Sequence, residues 1–364
     1  MKLMIVAPFD SKGRYKGGIS SIVNTLYDSN KLQEKDIEVI KFDTCQIERS
    51  NVKEAGLNLQ NIRNAFLVYT RLPKAIKNEK PDTIYIHTSV GTALLKDCLI
   101  IKHVKRKCPN VKLVLHIHFA DYDKIMPSKH ALRQWILSIL KYYPEKIVFL
   151  SEKTREEFVK NGIDRDRTTV IYNFSTISFD EENLKKYRSG KLKFLFVGAI
   201  SQRKGIIDVL SALKKVDGEF ELHICGDFMN DETKDAFFKA VVGIEDKIFF
   251  HGFVKGEEKN RVFANCDILV LPSYGEGLPV VILEGYSAGC AIIASNVGAI
   301  SEIVNTENGI LVEPGDVDRL ACAIQKYLDE GRSMLSKQQA INYKEADKYT
   351  ISAFADSIFD VCYR

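Results

Sequence analysis

The residues best placed to do chemistry lie in one segment, Gly275-Glu276-Gly277-Leu278-Pro279-Val280-Val281-Ile282-Leu283-Glu284. Glycines on both sides of Glu276 allow a backbone turn that side chains would obstruct. Pro279, with its φ pre-set and no N–H to satisfy, suits the first position of a helix. The two acids then stand at a helix mouth and inside the helix. Unpaired N–H groups at a helix N-terminus attract an anion, and an acid one to two turns further in accepts hydrogen bonds from vicinal hydroxyls as a dinucleotide fold's acid does from ribose. That arrangement suits a sugar nucleotide. A capped surface helix with two ordinary glutamates is the plain alternative.

Elements that could position such a segment recur along the chain. Short β-branched runs alternate with helical patterns, the signature of parallel sheets with crossover helices. Strands are expected near 2–7, 37–42, 82–87, 111–118, 146–150 and 168–172, then near 192–197, 220–225, 248–251, 267–271, 291–295 and 309–312. This predicts an α/β chain of two doubly wound, Rossmann-like domains, at 1–175 and 190–349, joined through the polar stretch Ser175 to Lys191. Helical patterns near 316–330, 334–343 and 350–362 close the chain without further strands.

Open parallel sheets bind ligands at the carboxyl ends of their strands, so the residues following each strand matter most. After the first comes Lys12-Gly13-Arg14-Tyr15-Lys16-Gly17-Gly18, paired glycines with three cations before a helix. Such a loop reads either as a phosphate cradle or as an ordinary basic loop. Ser201-Gln202-Arg203-Lys204-Gly205 follows the strand ending at Val197. Its adjacent cations could neutralise a departing diphosphate without a metal ion. Cys225-Gly226-Asp227 and His251-Gly252-Phe253 stand at two further strand ends, each with a glycine that permits close approach to a planar base. Individually these are weak signals. Their coincidence at successive ends of one sheet, together with the two glutamates, points to one shared cleft.

Composition excludes several classes. The chain has 364 residues, 45% hydrophobic and 27% charged, which is globular and too long for a single typical core. Its eight cysteines are never closer than ten residues, so no Cys-x-x-Cys pair seeds a zinc site. No signal peptide or membrane-length apolar run is evident, and a cytoplasmic location is expected; the sequon Asn173-Phe174-Ser175 is then a chance match. The net charge of +4 conceals an asymmetry. Residues 1–170 hold 30 Lys and Arg against 19 Asp and Glu, a net of +11, and the remainder hold 22 against 29, a net of −7. Runs such as Arg71–Lys77 and Lys102–Lys107 supply the excess, which reads either as a solvated face or as an attraction to anionic membrane or a phosphate-bearing acceptor. Nucleic acid is not expected, because no binding motif or interleaved aromatic pattern accompanies the charge.

Gly17-Gly18, the Arg203-Lys204-Gly205 turn, the Glu276–Glu284 segment, Gly289 and Gly298-Ala299-Ile300-Ser301-Glu302 together resemble the retaining glycosyltransferases of family 4, which have the GT-B fold. The resemblance covers the second half closely and the first loosely. It implies two domains facing across a cleft, with the helix at 350–364 returning to the first domain. It implies transfer of a sugar from a nucleotide diphosphate sugar, most commonly of uridine, with retention and without a metal or other cofactor. Glu276 would lie against the donor sugar and Glu284 would hold the ribose. The backbone at Gly277 and Leu278, with Arg203 and Lys204, would embrace the diphosphate; Gly17, Gly18, Gly226 and Phe253 complete the expected donor contacts. The family also places a histidine beside the donor sugar, and Val111–His118 offers two on one strand face, His116 and His118. His118 is nearer the carboxyl end, although Phe119 follows where many members have a small residue. His87 and His116 are the acceptor-side candidates, with a satisfied core histidine as the alternative for each. A saccharide or lipid-linked saccharide acceptor in surface polysaccharide synthesis fits the basic first half.

No unambiguous carboxylate nucleophile is apparent, so the mechanism expected is same-face substitution in which the leaving diphosphate helps take the acceptor proton. The rivals are definite. A metal-dependent enzyme would use one of three Asp-x-Asp pairs, Asp121/Asp123, Asp164/Asp166 or Asp316/Asp318. A GT-B sugar-nucleotide epimerase would turn donor over alone, and a non-catalytic nucleotide-sugar binder would not turn it over at all. A dinucleotide oxidoreductase is disfavoured, since Pro8-Phe9-Asp10-Ser11-Lys12-Gly13 stands where Gly-x-Gly-x-x-Gly would be.

Overall fold

Near-continuous runs of apolar residues form strands buried on both faces, as parallel sheets covered by helices require. In the computed structural model, which describes residues 1–9, 18–45, 59–179 and 190–364, every residue of Thr83–Thr88 and of Ala291–Ser295 is buried. The chain divides into two compact units, Met1–Phe174 with Ile351–Arg364, and Ser175–Thr350.

The first unit holds β1 (Lys2–Ala7), β2 (Glu38–Asp43), β3 (Thr83–Thr88), β4 (Lys112–Ile117), β5 (Lys146–Phe149) and β6 (Thr168–Val170), ordered β2-β1-β3-β4-β5-β6 and parallel throughout. Leu113, Leu115, Ile117, Ile147 and Phe149 join helix residues such as Ile101, Leu140 and Phe158 in its core. The helix Ile351–Tyr363 belongs to this unit: Lys112 Nζ donates to the Cys362 carbonyl at 2.6 Å, and Phe354 packs on Phe174 with ring centroids 4.9 Å apart.

The second unit holds β7 (Leu192–Val197), β8 (Phe220–Cys225), β9 (Ile248–Gly252), β10 (Ile268–Leu271), β11 (Ala291–Ser295) and β12 (Gly309–Val312), ordered β12-β11-β10-β7-β8-β9. The chain builds outward from β7 to β9, crosses back, and builds the other way from β10 to β12. Strand order therefore reverses between β7 and β10, the kind of position beyond whose strand ends open α/β sheets receive their ligands. Phe194, Phe196, Ile224, Val270 and Ile293 form the core beneath it with Leu210, Ile324 and Tyr327.

The strands fall within about a residue or two of their expected places. One local expectation is corrected: Pro279 is the residue before the helix Val280–Ser287, at φ −70° and ψ 122°. Its ψ is extended, so the ring pre-sets the entry to the helix instead of its first turn. The first two helices expected beyond Pro314 join end to end as Val317–Glu345, with a break at Gly331, where φ is 59° and ψ −146°.

Candidate active site

The loop after β7 and the loop after β10 are brought together at the point where strand order reverses. Gln202–Lys204 make one 3₁₀ turn, ended by Gly205 at φ 74°. A Cβ there would stand 2.2 Å from the Pro272 carbonyl oxygen, so glycine is required for the first loop to pack against the second. Across that contact Lys204 Nζ meets Glu276 Oε1 at 2.5 Å, with 15% and 9% of the two side chains exposed. Arg203 Nη1 donates to the Gly275 carbonyl at 2.7 Å, and the Tyr274 amide donates to the Arg203 carbonyl at 2.9 Å. A guanidinium has further N–H donors, so Arg203 both ties down the glutamate loop and retains capacity toward an anion.

The Glu276 loop is fixed from its other side as well. Ala299 N–H donates to the Gly277 carbonyl at 3.0 Å, and Gly298, at φ +58°, leaves room for the Glu276 carbonyl where a Cβ would lie 2.3 Å away. Leu278 is buried. Thus Arg203, Lys204, Glu276, Gly277 and Leu278 share one locus.

Glu284 is 2% exposed inside the helix Val280–Ser287, and Oε1 accepts from both Thr176 Oγ1 and Lys259 Nζ. Lys259 and Thr176 were not expected from sequence. Lys259 sits in the helix Gly256–Asn265 and Thr176 lies 108 residues from Glu284, so no spacing links the three. Ser273, fully buried two residues after β10, has an Oγ without a hydrogen-bond partner and is a further polar group of this loop. Nearby, burial raises the pKa of Asp208, an effect partly offset by a hydrogen bond from Tyr274. Gly226 closes on its own sheet: its missing Cβ makes room for the Gly198 carbonyl, 1.8 Å from where that atom would be. Phe253 is half exposed. Gly17 lies outside the described residues, and Gly18 begins the helix Gly18–Asp28 after β1. A large concavity of the second unit, about 1430 Å³, is lined by residues such as Ile310, Arg319 and Met334 and by none of these.

In the first unit the three candidate histidines form one buried cluster. His87 and His116 are direct partners across β3 and β4, and His118 follows just beyond β4. His87 Nδ1 and His118 Nε2 are 2.7 Å apart, and Tyr85 Oη and His116 Nδ1 are 3.1 Å apart. Burial holds all three rings neutral: it pushes His118 down to about 3, and it holds His87 and His116 well below the usual range, with neighbouring rings adding to the effect. One nitrogen from each ring lies within 4.8 Å of one from each of the others, a set able to ligate a metal ion.

Each Asp-x-Asp pair has a structural use. Asp121 accepts from the Asp123 and Lys124 amides, Asp164 from the Asp166 amide and Asp316 from the Arg319 amide. In each pair the first aspartate is a helix N-cap and the second lies in the first turn, where the helix dipole favours a negative charge.

Residues 191–330 match the family model described as Glycosyl transferases group 1, and residues 29–177 match Glycosyltransferase Family 4. A protein of Klebsiella pneumoniae described as an uncharacterized 41.2 kDa protein in the cps region is 24% identical over 319 residues, 84% of this chain and 85% of that one. The UDP-Gal:alpha-D-GlcNAc-diphosphoundecaprenol alpha-1,3-galactosyltransferase of Escherichia coli is 23% identical over 282 residues, 71% of this chain and 69% of that one. Among solved structures, HepE of Anabaena in complex with UDP superposes with a TM-score of 0.71 at 17% identity, covering 99% of each chain.

Proposed function

Because the chain is a glycosyltransferase of GT-B type, we propose that it moves a sugar from a nucleotide diphosphate sugar, with retention of configuration and without a metal, to a saccharide or lipid-linked saccharide acceptor in surface polysaccharide synthesis. Uridine diphosphate is the proposed carrier. The observation that carries this reading is the Lys204–Glu276 pair at the strand reversal of the second sheet, with Arg203 beside it. A cation and a carboxylate held together there suit a ligand whose diphosphate and hydroxyls differ in charge. The E. coli relative is named for a UDP-sugar and a lipid-linked acceptor, which favours the same pair of substrates.

In this reading Arg203 and Lys204 stabilise the charge that develops on the departing diphosphate, a contribution worth about 10²–10³ in rate per well-placed donor. The C–O bond from the anomeric carbon to the diphosphate breaks as the acceptor oxygen bonds on the same face, and the leaving phosphate oxygen takes the acceptor proton. Glu276 orients the sugar hydroxyls, the backbone at Gly277 and Leu278 faces the diphosphate, and Glu284 receives the ribose with Lys259 balancing its charge. Gly18, Gly226 and Phe253 remain donor-side candidates. His118 keeps the role of a donor-sugar contact, and His87 and His116 stand on the acceptor side. The use of the first aspartate of each Asp-x-Asp pair as a helix cap favours metal-free chemistry.

No helix among the described residues is long and apolar enough to cross a membrane. Peripheral contact at a cytoplasmic membrane face is favoured by the helix Leu59–Glu79, whose exposed face carries Leu59, Ile62 and Phe66 among Arg63, Lys74 and Lys77. Tyr69 stacks on His103 with ring centroids 3.9 Å apart, so both basic runs occupy one flank of the first unit.

The test is transfer from an α-linked UDP-sugar to lipid-linked acceptors in excess chelator, with product configuration read by NMR. An α-linked product formed at an undiminished rate is expected. An inverted product, or activity that returns only with Mg²⁺ or Mn²⁺, contradicts the proposal, and conversion of the donor alone would mark an epimerase.

A further inference from the structure

The histidine cluster has a geometry that sugar transfer does not require. His87 and His116 face each other in register across two buried parallel strands, and the His116 and His118 ring centroids are 4.0 Å apart. The nitrogen donors lie within 4.8 Å of one another, and the closest contact, His87 Nδ1 to His118 Nε2, is 2.7 Å. An ion held by three imidazoles at about 2.0–2.1 Å places their nitrogens roughly 3.3 Å apart. The His87–His118 contact is shorter than that spacing and no pair exceeds 4.8 Å, so ring rotations would be needed to seat an ion among the three.

Two ring nitrogens of the cluster, His87 Nε2 and His116 Nε2, are buried without a hydrogen-bond partner. Such an atom is costly when left unpaired, and ligation through Nε2 would satisfy that of His116, whose Nδ1 already faces Tyr85. Tyr85 Oη, at 3.1 Å from His116 Nδ1, supplies the outer contact that commonly orients a ligating imidazole.

We propose that His87, His116 and His118 form a three-histidine site for a zinc-class transition-metal ion. The donor set decides the class. Neutral imidazoles favour Zn²⁺, Co²⁺, Ni²⁺ or Cu²⁺ over Mg²⁺, Ca²⁺ or Mn²⁺, which favour oxygen. Three protein ligands leave a fourth position for water or an anion. Binding exchanges the His87–His118 hydrogen bond for metal–nitrogen bonds and takes up His118. Under the proposed function such an ion is an inhibitor of transfer and not its cofactor, but the site itself is independent of that reading.

The test needs no glycosyl transfer. A second histidine pair, His223 Nδ1 to His251 Nε2 at 2.9 Å with Glu221 alongside, could bind metal at the surface. It is removed first, as His223→Asn/His251→Asn. That full-length protein, stripped with chelator, is titrated with Co²⁺ and followed by visible absorption. Saturation near about one equivalent per chain is expected, with the strong bands of four-coordinate cobalt. Affinity should fall by about tenfold or more in His87→Gln and in His116→Gln with unchanged circular dichroism. No saturable band, or bands equally strong in both variants, overturns the site. Should either variant fail to fold, X-ray absorption of the zinc-loaded parent decides: a shell of three imidazoles supports the proposal, and an oxygen-dominated shell overturns it.

Discussion

Lys204 and Glu276 act as one unit, since each removes the other's uncompensated charge in a setting where both are largely buried. Single alanine substitutions at either position should therefore cost nearly as much turnover as the double substitution, about 10²–10³ in each case. A double-mutant cycle on kcat/KM checks this, and additive losses would separate the two residues. Glu284 should behave differently. Glu284→Ala weakens nucleotide affinity with little loss of kcat, whereas Glu276→Ala loses mainly kcat. Lys259→Ala leaves the buried Glu284 carboxylate with Thr176 alone and no counter-charge, and should lower unfolding stability by on the order of 3 kcal/mol, measured by urea titration. The segments that carry Glu276, Glu284, Arg203 and Lys204 stand out in the sequence because glycines, a proline and a cation pair mark them locally. Lys259 and Thr176 do not stand out, since their meeting with Glu284 is set by how distant elements pack and by nothing in their neighbours. The Lys204–Glu276 contact was likewise hidden: separate loops carry the two residues, and only the adjacency of β7 and β10 joins them.

Those two loops are neighbours because the strands between them run to the other edge of the sheet, leaving β7 against β10. Runs such as Phe194–Phe196, Ile268–Leu271 and Ala291–Ala294 were legible as strands from apolar content alone, whereas their order depends on crossovers that no single run encodes. Gly298 is where element and site meet. Gly298→Ala forces a side chain into a left-handed backbone, at about 1–2 kcal/mol, and against the Glu276 carbonyl; a matching loss of stability with reduced turnover is expected, and full activity would contradict the role of this packing. The β3–β4 pair predicts a pH effect. His118, and likewise His87 and His116, stay neutral when folded, while in the unfolded chain they take up protons below about pH 6.5. Because the unfolded state binds more protons, stability falls with pH through that window, by up to about 2 kcal/mol at pH 5 for each ring that remains neutral. Urea unfolding at pH 7 and pH 5 measures it. The loss should shrink in His87→Gln, and equal stabilities at the two pH values would refute the buried, neutral cluster.

Over the whole molecule, two α/β units carry opposite charge, with the basic excess in residues 1–170. Composition made that division legible, but not the surface on which it appears, because helix faces emerge only when Tyr69 and His103 bring two basic helices side by side. Sedimentation with anionic vesicles should show binding that salt releases and that Phe66→Ser with Ile62→Ser weakens. Binding unchanged by either would place membrane contact elsewhere. Beneath these predictions lies one claim, that the second unit receives a nucleotide diphosphate at its strand reversal without a metal. Calorimetric titration of the full chain with UDP in excess chelator tests it most directly. Saturable binding is expected, weakened by Glu284→Ala by about tenfold or more, or 1.4 kcal/mol per factor of ten. Absence of binding under chelator, or binding that Glu284→Ala leaves unchanged, would contradict it.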